Sequence, residues 1–182
     1  MQHSTQAVAA EIDARQGIGR RLVVGLVVLG LGLACFAIWF QWQQTRRCLE
    51  FYGSDSARWI QAAARVELWE PQADATDASG GLASATRTDI SRAPGLVHLR
   101  RGLVEDANFD WRRAAGVGAA WDVAFAFYET ADVATPATVL LIDFDPAGGT
   151  IGVAGRDRRV GLGRLEKGLR SWLGALRREK VQ

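Results

Sequence analysis

From Leu22 to Phe40 the chain runs for nineteen residues without a charge, LVVGLVVLGLGLACFAIWF. At about 1.5 Å per residue a helix of that length matches the roughly 30 Å hydrocarbon layer of a bilayer. Arg20 and Arg21 stop the run on one side, and Arg46 and Arg47 stop it on the other. Trp39 and Trp42 stand where interfacial aromatics belong. A cleaved signal peptide has a shorter apolar core followed by small residues, whereas this run ends in Trp-Phe-Gln-Trp. A core helix of a soluble protein is rarely apolar on every face. The pattern predicts a membrane-crossing helix over 22–42, after a tail of residues 1–21.

Beyond it the pattern becomes that of a folded domain, residues 43–182. The helix is expected to continue to Phe51 and Tyr52 and to stop at Gly53, a residue favoured just past a helix end. Ser54-Asp55-Ser56 offers an N-cap for a short helix over 57–65, with Trp59, Ile60 and Ala63 on one side. Val66 to Glu70 alternates as a strand does. Residues 71–88 are small and polar without a period, so they read as a flexible surface loop. Ser91 is expected to cap a helix with Pro94 in its first turn and Leu96, Leu99 and Leu103 on its apolar side.

A meander follows. The stretch 119–129 places Trp121, Val123, Phe125 and Phe127 on one face and small residues on the other. The nearly continuous apolar run from Thr138 to Phe144 predicts a central strand, with Leu141 among its core residues. Turns at 146–149 and 155–158 lead into two more strands, 150–154 and 159–162. Leu162, Leu165, Leu169, Trp172, Leu173 and Leu176 then fall at helical spacing, with Arg164, Lys167, Arg170, Arg177 and Arg178 between them. That stripe suits either the cover of a sheet or a basic helix lying on an anionic membrane. The order α-β-α-β-β-β-α gives an α+β fold: a single N-terminal transmembrane helix, then a small antiparallel-sheet domain with helices packed on it.

Charge and composition remove options more than they add them. The 182 residues carry 22 basic and 20 acidic side chains, so bulk charge gives no support to nucleic-acid binding. Nearly all the cations are Arg, with Lys only at Lys167 and Lys180; together with abundant Ala and Gly this is the usage of a GC-rich bacterial genome. Cys35 and Cys48, on one continuous helix, stand about 20 Å apart and cannot bridge each other. Arg15, Arg20 and Arg21 on one flank are balanced by Arg46, Arg47 and Arg58 on the other. It is the short tail ahead of a larger domain, with its arginines against the membrane run, that points to a cytoplasmic N-terminus and an extracytoplasmic domain.

One stretch invites a chemical reading. A hydrophobic strand ending in Asp143-Phe144-Asp145 resembles the nucleophile motif of haloacid-dehalogenase-like phosphatases. The resemblance implies attack on phosphorus by Asp143 and proton handling by Asp145, with Mg²⁺ between them. The sequence departs from that family at Ala147, where Thr or Val is expected, and in the antiparallel pattern around the motif. As a calcium loop, Asp143, Asp145 and Gly148 fit, but Ala147 and Ala154 occupy the fifth and twelfth positions. Outside the tail the single histidine is His98, which with Cys48 is too little for a zinc site. Gly161-x-Gly163 lacks the spacing of a dinucleotide loop. No residue is therefore assigned a catalytic, cofactor-binding or metal-binding role, and no cofactor is expected. The expected function is that of a non-enzymatic accessory or interaction protein of a bacterial membrane. Its partners are the lipid bilayer and another membrane protein or complex. A membrane-tethered hydrolase using Asp143 and Asp145 is the alternative.

Overall fold

A computed structural model of the chain describes residues 3–72, 82–115 and 121–179. It divides into two compact units, Met1–Gln43 and Gln44–Gln182. The first holds most of helix α1, His3–Tyr52. The second holds the last turns of α1 and everything after it. Those elements are α2 (Ser54–Ala62), β1 (Arg65–Glu70), β2 (Thr86–Asp89), α3 (Leu96–Gly102), β3 (Asp110–Ala115), β4 (Val123–Tyr128), β5 (Thr138–Asp143), β6 (Thr150–Val153), β7 (Arg159–Gly161) and α4 (Leu165–Glu179). A short 3₁₀ turn, Asp106–Asn108, precedes β3. This is the expected α+β architecture.

The seven strands form one antiparallel sheet in the order β2-β1-β4-β5-β6-β7-β3. The apolar strand β5 is central, as its unbroken hydrophobic run requires. Period-two alternation decides what faces the helices: Phe125 sits opposite Leu68 on one side and Leu140 on the other. With Val66, Phe127, Ile142 and Ile151 these residues meet Ile60, Leu96, Leu99, Leu169 and Leu173 from α2, α3 and α4. The end of α1 joins the same core through Cys48, Phe51 and Tyr52, all buried. Helix α1 does stop where expected: Gly53 takes a φ of 78°, which a side chain would resist, and donates its N–H to the Leu49 carbonyl.

The structure corrects several local expectations. Residues 86–88 are part of strand β2 and not of a loop, while 73–81 of that loop lie outside the described residues. Strand β3 was not expected at all. Helix α2 starts at Ser54 with Gly53 before it and no side-chain cap, so Ser54, Asp55 and Ser56 do not play that part. Ser91 does not cap α3; its hydroxyl accepts from the Val66 N–H at 2.9 Å and donates to Asp89 at 2.6 Å, joining β1 to the end of β2. Trp121 precedes β4 and so escapes its alternation. It packs on the opposite face with Trp69, Ala124, Ala126 and Tyr128. Leu141 is half-buried on that second face as well, and the core residue of β5 is Leu140.

The C-terminal stripe closes the sheet. Leu169 and Leu173 are buried, Leu165, Trp172 and Leu176 pack against them, and the Trp172 indole donates to the Pro94 carbonyl at 2.7 Å. Arg177 reaches across to Glu70 on β1 at 2.8 Å. The apolar face of α4 is core, and it is the arginine face that meets solvent.

Candidate functional site

Two regions need a functional reading: the apolar stretch of α1 and the carboxylates at the end of β5. In the first, Val23, Leu26, Val28, Leu31, Leu33, Phe36, Ile38 and Trp39 are each more than half exposed. None of the most apolar eighteen-residue window is buried inside the protein. A core helix of a soluble protein is covered by its neighbours, and this one is not. It is long and apolar enough to cross a membrane. Cys35 lies exposed within it.

At the second region β5 ends beside β6, and β7 follows one strand further on. Asp143 makes an ion pair with Arg159 of β7 at 3.7 Å. Arg159 is almost wholly buried, so the pair is shielded from solvent on one side. Burial first, and then the nearby Asp122 carboxylate, push the Asp143 carboxyl up, while Arg159 pulls it the other way. Asp122 itself accepts from the Phe144 N–H at 2.5 Å. Asp145 turns the chain: its side chain accepts from the Ala147 N–H at 2.6 Å and its carbonyl from the Gly148 N–H at 2.9 Å. Both aspartates that carried the phosphatase resemblance are thus occupied with strand pairing and a hairpin turn. Among the described residues, no three His, Cys, Asp or Glu side chains come together as a metal ion would need.

The same hairpin is pinned from α4. Glu166 accepts from the Gly149 N–H at 2.9 Å and pairs with Arg170 at 2.8 Å, while Arg170 lies over the Phe144 ring at 4.4 Å. The backbone hydrogen bond and then Arg170 hold the Glu166 carboxyl below its ordinary value. A depressed folded-state value means stability that is present above the unfolded value and lost as pH falls through the folded one. Glu166→Gln should therefore cost about 1–2 kcal/mol at pH 7 and nothing once the wild-type carboxylate is protonated in acid. Thermal melts of both proteins between pH 2 and 7 check this; a gap independent of pH would show that the charge is not what pins the turn.

His98 is exposed on α3, whereas Cys48 is buried. Burial, and then the hydrogen-bonded Asp106 carboxylate, push the Cys48 thiol up and away from the reactive thiolate. The two do not form a nucleophile pair. The contact that sequence reasoning missed is the one between Asp106 and α1. Nothing in the local pattern around Asp106 distinguishes it from any other acidic loop residue.

No family model, curated protein or solved structure matches the chain.

Proposed function

We propose that this protein is a single-pass, membrane-anchored accessory or interaction protein of a bacterial membrane, with no catalytic role of its own. The observation that carries the reading is the wholly uncovered apolar run of α1, in a chain whose remaining apolar helices are all used as core. Such a run is stable in lipid and costly in water. The occupation of Asp143 and Asp145 by structural contacts supports a binding role over hydrolysis. Residues 44–182 work on the extracytoplasmic side, held there against a second membrane protein. The short tail ahead of a larger domain, with Arg20 and Arg21 directly against the apolar run, supports that orientation.

One experiment tests both halves. Lys167 is exposed on α4 and is the one lysine among the described residues. A membrane-impermeant, amine-reactive crosslinker added to intact spheroplasts should join it to a discrete partner. The adduct should persist when 22–42 are exchanged for an unrelated membrane helix. An adduct formed only after the membranes are opened reverses the orientation. An adduct that follows the helix and not the domain removes the domain from the role.

A further inference from the structure

Asp106 makes a contact typical of a helix start at a place where α1 runs on as helix from His3 to Tyr52. Its two carboxylate oxygens accept from consecutive backbone N–H groups of α1, Arg47 at 2.8 Å and Cys48 at 2.7 Å. Inside a helix those N–H groups point along the axis at the carbonyls four residues earlier, Gln43 and Gln44. A side chain from another segment takes both only where the turn is opened, as at the start of a helix.

We infer that α1 contains a second helix start, with Thr45 in the cap position, Arg46 as the first helical residue, and Asp106 supplying the capping carboxylate in place of Thr45. A carboxylate beside free N–H groups at a helix start is also favoured by the helix dipole. The corner that carries Asp106 is well held. The Trp111 indole donates to the Asp106 carbonyl at 2.8 Å, and the rings of Phe109 and Trp111 pack edge-on against Tyr52 and Phe51. Cys48, Phe51 and Tyr52 thereby belong to a short helix capped by the domain itself. The boundary between the two compact units, Gln43 and Gln44, falls at this place.

Proline tests the assignment, because it is tolerated at the first position of a helix and breaks an interior turn. Arg46 and Glu50 are both more than half exposed and pair with each other, so replacing either removes that surface ion pair. In the full-length protein in detergent micelles, Arg46→Pro should shift the domain's melting temperature by less than about 3 °C. Glu50→Pro should lower it by roughly 10 °C or abolish cooperative melting. Equal damage from the two would mean that α1 is unbroken at Thr45, and would overturn the proposal. The second arm uses the near-isosteric Asp106→Asn and reads amide exchange. Arg47 and Cys48 should exchange at least about tenfold faster while Phe51 and Tyr52 stay protected. Unchanged exchange at Arg47 and Cys48 would show that the carboxylate does not hold the turn, and would equally overturn it.

Discussion

A chain shortened to begin at Gln44 should fold and remain in solution, whereas one shortened to begin at Gly53 should fail to fold. The sequence pattern alone favours the later start, since Gly53 is where the helix ends and the membrane-crossing run is long past. The structure puts the limit nine residues earlier, because Cys48 and Tyr52 have no exposed surface and Phe51 is nearly as deep. Loss of a buried aromatic costs about 3–5 kcal/mol, and here two go at once. A domain of this size has only about 5–15 kcal/mol to lose. Removal of these turns also uncovers Phe109 and Trp111, against which Tyr52 and Phe51 had packed. Circular dichroism and size-exclusion chromatography of the two proteins check this. A monomeric, cooperatively melting protein from Gly53 onward would show that the end of α1 is not part of the core.

Phe125→Ala should destabilise the domain by about 3–5 kcal/mol, which for most domains of this length removes a large part of the folded population at 37 °C. Phe125 is fully buried in β4, lies between Leu68 and Leu140 in the sheet, and meets the Trp172 ring at 6.2 Å. Truncation there empties space that three elements share, so none of them can close it by moving alone. Leu141→Ala should cost distinctly less, because its side chain is half-buried on the second face. Denaturant titration of both variants gives the comparison. Equal losses would contradict the division of β5 into a helix-facing and a second face.

What could be read in advance follows from what holds each element in place. Strands β4, β5, β6 and β7 are built by burial, so their apolar residues announce them, as the leucine stripe announces α4. Strands β2 (TRTD) and β3 (DWRRAA) are the two edges of the sheet. They are held by main-chain pairing, with charged side chains that also discourage edge-to-edge association, and although Trp111 of β3 packs on the core, neither strand shows an alternating hydrophobic pattern. Trp121 misled for a related reason: alternation continues only as long as the strand does, and β4 begins two residues later. Asp143 and Asp145 drew attention through their spacing, but spacing says nothing of Arg159, which is contributed by β7, or of the Ala147 N–H. The Asp106 contact spans 58 residues to Cys48 and depends on a corner formed only in the folded chain. Such long-range polar contacts are invisible to local pattern.

The central claim is that the apolar run of α1 sits in a bilayer. Its most direct test is alkaline carbonate extraction of membranes from cells expressing the full-length chain. The account predicts that the protein stays in the pellet with integral membrane proteins, while the chain beginning at Gln44 appears in the supernatant. Full-length protein of undiminished mass in the carbonate supernatant would contradict it.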